Sequence, residues 1–321
     1  VLHRLSDVSN ESFALNTDES NVDLVQLDDS VYFNIEDAVT GLERFRFNEG
    51  ALVASPENVT AADSTATQEL VLINNQLFYS ALTGTDRVLY QADQSTSTSP
   101  NPVPGSSVLT LALDSELVRL GNDLMFTVGA EFFLVANGTR SAAPVGILAG
   151  ASSATIANLT AVGSNKLFFT NAISANETEL WVYDKTGSAG LVKLDISSTT
   201  GGVITTSSII NHSGSQAPTN LTDVNGTLFF AVNSNGGQDW RLWKSDGNLT
   251  EAAGDLFSDV GSLNDLTAVA GDVFFTVQSS DGSLLYRASA TSSPQLVRLT
   301  SSNEGILNAS SLTSFGNQLY F

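Results

Sequence analysis

Cysteine is absent from the 321 residues, which excludes disulfides, thiolate metal sites and cysteine nucleophiles. Histidine occurs only at His3 and His212, so mechanisms needing several imidazoles are excluded too. Lys and Arg total 13 against 34 Asp and Glu, for a formal net charge of −21. Such a surface repels phosphate backbones and anionic membranes, so nucleic acid is not an expected partner. No run of 18 apolar residues is present, so no membrane-spanning helix is expected. Apolar residues still make up 42% of the chain, enough for a sizeable core. The chain runs from Val1, with no basic-then-apolar leader, to Phe321 inside an apolar run. It is expected to be a mature or trimmed portion of a longer product.

A short phrase recurs: Leu, two residues, an apolar residue, a small polar turn, then apolar and aromatic residues. It begins at Leu24, Leu70, Leu117, Leu159, Leu221, Leu266 and Leu312, with spacings of 46, 47, 42, 62, 45 and 46 residues. Self-similarity at such a period marks a repeat architecture. Each phrase reads as a β-hairpin. Its turn pairs (Asp-Asp, Asn-Asn, Gly-Asn, Asn-Gly, Gly-Asp) tolerate the positive φ of two-residue turns. Its second strand is apolar at consecutive positions, as in "LFF" and "VFF", which calls for cover on both faces.

A third strand follows in most copies: "LERFRF", "RVLYQA", "EFFLV", "ELWVYD", "RLWKSDG" and "LLYRAS". A weaker fourth is expected at "ALVA" (Ala51–Ala54), "SVLTLA" (Ser107–Ala112), "VGILA" (Val145–Ala149), "LVKLDI" (Leu191–Ile196), "DLFSDV" (Asp255–Val260) and "QLVRLT" (Gln295–Thr300). Four strands per repeat, covered on both faces, predict an all-β fold: a seven-bladed β-propeller of four-stranded antiparallel blades. The units start near residues 21, 68, 115, 157, 219, 264 and 310, in a single domain over 1–321. The last unit has only two strands before Phe321. "VLHRLSD" at the N-terminus is similar to "QLVRLTS", so Val1–Leu5 is expected to complete the last blade as its outer strand and remove exposed edges. That leaves the third strand of the blade to sequence beyond Phe321, or to a neighbouring chain by β-augmentation.

The phrases "ELWVYDKTG" (Glu179–Gly187) and "RLWKSDGN" (Arg241–Asn248) resemble the ELWxxDGT repeat family. That resemblance implies large secreted or surface-attached bacterial and archaeal proteins built as β-propellers. The other units keep the strand pattern but lose Trp and the Asp-Gly turn. The family motif carries no catalytic role, so none is implied here. Asp246-Gly247 reads as a turn after the strand. Trp181 and Trp243 read first as inter-blade packing and second as platforms for a sugar.

Asn-x-Ser/Thr sequons occur at Asn10, Asn58, Asn137, Asn158, Asn176, Asn211, Asn220, Asn225, Asn248 and Asn308. Covalent N-glycans are therefore expected if the producer glycosylates, and ordinary turn composition is the competing explanation. The favoured acceptors are Asn10, Asn58, Asn137, Asn176, Asn211 and Asn308. Asn225 sits in a tight turn, and Asn158 and Asn220 directly precede strands. Ala92–Ser107 reads as a solvated Pro/Ser/Thr loop. Ile196–Thr219, with His212, reads as a surface excursion that lengthens the fourth unit.

Gly-x-Ser-x-Gly, His-Glu-x-x-His and phosphate-cradling glycine loops are absent from the sequence. No cofactor is expected. "NSNGGQD" (Asn233–Asp239) is a weak Ca²⁺-loop resemblance that lacks alternating carboxylates and a terminal Glu. A hydrolytic carboxylate pair would require convergent acids at first-strand starts, where only Asp223 and Asp265 lie. The reading that follows is a non-enzymatic, extracellular or cell-surface structural or adhesive glycoprotein. It would associate with itself or with neighbouring chains of one assembly. A carbohydrate-binding module with a glycan ligand is the second reading, and a carboxylate-dependent glycoside hydrolase the third.

Overall fold

The structure is a computed structural model. It describes residues 24–27, 30–37, 41–48, 55–56, 68–83, 86–92, 101–103, 116–138, 142–148, 155–174, 177–187, 190–200, 203–208, 218–234, 238–280, 282–297 and 308–321. These residues form six four-stranded antiparallel sheets and two two-stranded hairpins. The chain divides into two compact units, Val1–Ile147 and Leu148–Phe321.

The first unit holds three sheets, each a meander in chain order. The first is β1 (Leu24–Leu27), β2 (Ser30–Asp37), β3 (Gly41–Asn48) and β4 (Ser55–Pro56). The second is β5 (Gln68–Ile73), β6 (Gln76–Thr83), β7 (Asp86–Ala92) and β8 (Asn101–Pro102). The third is β9 (Val118–Leu120), β10 (Asp123–Val128), β11 (Glu131–Val135) and β12 (Ala142–Ile147).

The second unit begins with a fourth sheet, β13 (Ile156–Val162), β14 (Lys166–Ser174), β15 (Glu177–Asp184) and β16 (Leu191–Lys193). A hairpin follows, β17 (Asp195–Thr200) and β18 (Val203–Ser208). The fifth sheet is β19 (Thr219–Val224), β20 (Thr227–Ser234), β21 (Asp239–Ser245) and β22 (Thr250–Ala252). The sixth is β23 (Ser262–Val269), β24 (Asp272–Ser279), β25 (Gly282–Ser289) and β26 (Ser292–Leu296). The unit ends on a hairpin, β27 (Thr313–Phe315) and β28 (Gln318–Tyr320).

The hairpins turn where Asn and Gly accept a left-handed backbone. Asn74 and Asn75 have φ of 47° and 61°, and Asn225 and Gly226 have 51° and 85°. In the sixth sheet Val269 pairs with Asp272. The loop is therefore Ala270-Gly271, not the expected Gly-Asp, and Ala270 is held at φ 52°.

The consecutive aromatics divide between two faces, as side chains alternate along a strand. Phe229 packs with Phe275 and Leu263 of the sixth sheet. Phe230 packs with Phe168 and Leu180 of the fourth. In the first unit Tyr79 joins Tyr32 of the first sheet, and Phe78 joins Phe126 of the third. The core is thus a series of apolar layers between sheets. Within each unit the first strand of one sheet lies beside the first strand of the next. A second regularity lies within the sheets: an aromatic on the second strand sits in register with an aromatic on the third. Tyr79–Tyr90, Phe126–Phe133, Phe169–Trp181 and Phe275–Tyr286 stack at centroid distances of 5.7, 5.5, 6.5 and 5.7 Å.

Four of the first strands share a β-bulge. Register shifts by one residue between Gln68 and Val71, Ala157 and Thr160, Thr219 and Thr222, and Asn264 and Thr267. In the last three the residue after the shift takes positive φ: Asn158 56°, Asn220 55° and Asp265 55°. Asn and Asp tolerate that region better than other side chains. Two residues on, a Thr hydroxyl donates back to the bulged carbonyl, at 3.1, 3.0 and 3.0 Å for Thr160, Thr222 and Thr267.

Three expected boundaries are corrected. The fourth strand of the first sheet comes later than Ala51–Ala54, at Ser55–Pro56, whereas those of the second and fifth sheets come earlier than Ser107–Ala112 and Asp255–Val260, at Asn101–Pro102 and Thr250–Ala252, because there the chain returns sooner to pair with the third strand. Ala51–Ala54 and Ser107–Ala112 lie outside the described residues. In the fifth sheet the chain kinks after Ala252, then resumes as one bridge between Trp240 and Phe257. Part of the Pro/Ser/Thr stretch is not solvated: Asn101–Pro102 pairs with β7, Val103 N–H donates to Leu89 O at 2.9 Å, and Val103 is fully buried. Proline fits there because an outer strand need not donate onward. The long excursion is in part the β17–β18 hairpin; residues 209–217, with His212, lie outside the described residues.

Candidate functional site

The sequon asparagines fall into two groups. Asn158 and Asn220 belong to the bulges. Asn158 Nδ2 donates to Thr170 Oγ1 at 3.0 Å, and Asn220 Nδ2 to Leu263 O at 3.2 Å. The amide nitrogen that would carry a glycan is engaged in both. Asp265-Leu-Thr keeps the same geometry without a side-chain amide, so the backbone accounts for this Asn-Leu-Thr pattern. Asn225 is spent on a hairpin turn at φ 51°. The second group is exposed on turns: Asn137, within the 3-10 turn Ala136–Gly138 with φ 49°, and Asn308, with φ 60°. Asn248 joins them in the Asp246-Gly247 turn; its surface position was legible from the turn chemistry. Asn10, Asn58, Asn176 and Asn211 lie outside the described residues.

The two tryptophans of the "ELW" and "RLW" phrases are held from within. Trp181 Nε1 donates to Glu179 Oε2 at 3.1 Å and the ring stacks on Phe169. Glu179, itself buried, also pairs with Lys193. Trp243 packs against the layer between the fourth and fifth sheets, with the Arg241 guanidinium 5.9 Å from its ring centroid. A charged residue two places before each Trp thus fixes it, by a hydrogen bond or by cation–π contact.

The turns after these strands are closed by their carboxylates. Asp184 Oδ1 accepts from the Thr186 N–H at 2.8 Å and hydroxyl at 2.7 Å. Those bonds, the hydroxyl's first, hold its carboxyl below the usual range. Asp246 Oδ1 accepts from the N–H groups of Asn248 and Leu249, both at 2.8 Å. Burial pushes the Asp246 carboxyl up, but the Leu249 and Asn248 bonds and nearby Lys166 more than offset it and leave it lowered. Lys166 also donates to Asp246 O, tying the fourth sheet to the fifth.

Three further acids are similarly committed. Asp123 Oδ1 accepts from Asn137 N–H at 2.7 Å. Asp223 accepts from Gly226 N–H at 2.8 Å and Gly163 N–H at 3.1 Å. Asp265 Oδ2 accepts from Thr276 Oγ1 at 3.1 Å. In repeat register Asp265 matches Asn220, three residues before Asp223, or about 10 Å along the strand. Among the described residues no group of three His, Asp or Glu side chains could hold a metal ion. Residues 235–237 of the calcium-like loop lie outside them, and Asp239 Oδ1 accepts from Asp259 N–H at 3.4 Å. A small cleft of about 150 Å³ lies among Thr227, Lys244, Asp246, Leu249, Glu251 and Ala290. Its cation is taken: Lys244 pairs with Glu251 at 3.1 Å and donates to Ala290 O at 2.6 Å.

Repeated four-stranded meanders, with first strands side by side and apolar layers between sheets, define a propeller-like all-β fold. Comparison with solved structures agrees at the level of fold. One match is a structure from a study of two prolyl endopeptidases, at 11% identity and TM-score 0.52, covering 86% of this chain and 42% of that one. Another is the apo form of prolyl oligopeptidase B from Galerina marginata, at 14% identity and TM-score 0.52, covering 93% and 46%. The chain therefore spans less than half the length of these structures. No family model matches the sequence, and no curated protein matches it.

Proposed function

We propose that this chain is a seven-bladed β-propeller of the ELWxxDGT-repeat type, its last blade shared between N- and C-terminal segments. On this reading it is a non-enzymatic, extracellular or cell-surface glycoprotein with a structural or adhesive role in an assembly of like chains. The observation that carries the reading is the fate of the carboxylates. Asp123, Asp223 and Asp265 are spent on the chain's own N–H and hydroxyl groups, as suits a scaffold rather than a catalytic pair. Exposed Asn137, Asn248 and Asn308 supply sugar acceptors. The exposed Phe315, Tyr320 and Phe321 supply an apolar contact surface. Trp181 and Trp243 are engaged in packing, which favours this role over glycan binding.

The test is expression in a glycosylating host. Intact mass is expected to show hexose-bearing species, and light scattering is expected to show self-association. A mass without added sugar removes the glycoprotein part. A monomer at all concentrations, without partners, removes the assembly part. Binding on a glycan array would favour the carbohydrate-binding module instead.

A further inference from the structure

The third strand of the fifth sheet, β21, carries Arg241 and Trp243 on one face. They pair in register with Val232 and Phe230 of β20, which belong to the apolar layer between the fourth and fifth sheets. The Arg241 guanidinium lies 5.9 Å from the Trp243 ring centroid. Its Nε is sealed from solvent without a hydrogen-bond partner, and no carboxylate among the described residues pairs with it. Asp239, two residues earlier on the strand, accepts instead from Asp259 N–H at 3.4 Å. Other cations of the chain are committed: Arg87, Arg119, Lys166, Lys193, Lys244 and Arg287 each donate to an oxygen of the same chain. Arg241 donates to none. A buried charged donor without an acceptor is costly, so this guanidinium is built to receive one.

The fourth sheet shows what completes the position. There the residue two before the tryptophan is Glu179, which is buried, accepts from Trp181 Nε1 at 3.1 Å and pairs with Lys193. Lys193, on the fourth strand, is the cross-strand neighbour of Trp181. The cross-strand neighbour of Trp243 is Ala252. The fifth sheet therefore reverses the sign of the third-strand charge and drops the fourth-strand counter-ion. We infer that Arg241, held over Trp243, is a binding site for a carboxylate that the fifth sheet does not itself supply. The guanidinium fork matches a planar carboxylate in a bidentate pair. The net charge of −21 repels multiply charged phosphates more than a single carboxylate. Two sources offer that group: a free organic acid, or an acidic side chain of a second copy, each copy carrying 34. The site needs only the fifth sheet and stands apart from the blade count.

The probe is acetate, exchanged for chloride at constant ionic strength. Acetate is expected to raise the thermal midpoint and to change tryptophan emission saturably, as the guanidinium over Trp243 takes up its partner. R241Q is expected to weaken acetate binding by about tenfold or more, the worth of one charged hydrogen bond. A252E puts a carboxylate where the fourth sheet has Lys193. It is expected to raise the midpoint in chloride and to abolish the acetate response with Arg241 intact. A response that persists in R241Q or in A252E overturns the inference. Should R241Q not fold, A252E and the Nε–H proton signal of Arg241 in the unaltered chain, expected to shift with acetate, decide it. No response to acetate, together with self-association in light scattering that R241Q or A252E abolishes, assigns the carboxylate to a second copy. No response to acetate and no such association overturns the inference.

Discussion

The Thr222 hydroxyl lies 3.2 Å from the carbonyl oxygen of Leu266, on the first strand of the next sheet. One repeat further on, Thr267 stands 3.1 Å from Leu312 O. Each hydroxyl also reaches the carbonyl of its own bulge, so one proton is shared between local and inter-sheet acceptors. The Thr hydroxyl thereby ties its own bulge to the first strand of the neighbouring sheet. Replacing Thr222 or Thr267 by Val keeps the shape and removes the donor. Each change is expected to cost about 1 kcal/mol, read as a lower thermal midpoint.

The aromatic layers carry far more. Phe230→Ala empties a fully buried site between the fourth and fifth sheets. It is expected to cost about 3–5 kcal/mol in denaturant unfolding of the second unit. Phe169→Ala tests the same term, with loss of its stack on Trp181.

The bulge residue is chosen for backbone conformation. Asn158→Asp is expected to be nearly silent, because Asp265 already occupies the equivalent place at φ 55°. Asn158→Val is expected to cost about 1–2 kcal/mol, the penalty of left-handed backbone for other side chains. Equal effects in chemical denaturation would show that the side chain, and not φ, sets the choice.

The same bulge sorts the glycans. In a glycosylating host, peptide mapping is expected to find sugar at Asn137, Asn248 and Asn308 and none at Asn158 or Asn220, whose amides are bonded. Occupancy of Asn158 would require its bond to Thr170 to be broken.

The turn carboxylates set an acid limit. Asp184 and Asp246 both have lowered values in the folded chain. Their contribution is therefore complete above the ordinary carboxylate value and is lost as pH falls through the lower folded value. Asn in their place still offers an oxygen to the same N–H groups but does not titrate. D184N/D246N is expected to flatten the fall in thermal midpoint on acidification, roughly between pH 5 and 2. An unchanged slope would place the acid sensitivity elsewhere.

Much of this was written into the chain. Repetition, the paired aromatics and the Asn-Gly turns encode a hairpin locally, because a strand covered on both faces needs apolar residues at consecutive positions. The β17–β18 hairpin was missed inside the expected surface excursion, although Gly201-Gly202 between Thr, Val and Ile residues is a two-residue turn signal. Outer strands were harder, since they bear little of the apolar layer; Asn101–Pro102 has no strand-like composition at all. Which sequons are free amides, and which are bulge residues, could not be read from Asn-x-Thr. Nor could the state of Asp223 and Asp265 be read from their places near first strands. A free amide or carboxylate differs from a bonded one only in its partner, and those partners (Thr170, Leu263, Gly163) lie on other strands or in the neighbouring sheet, brought into reach by the tertiary fold.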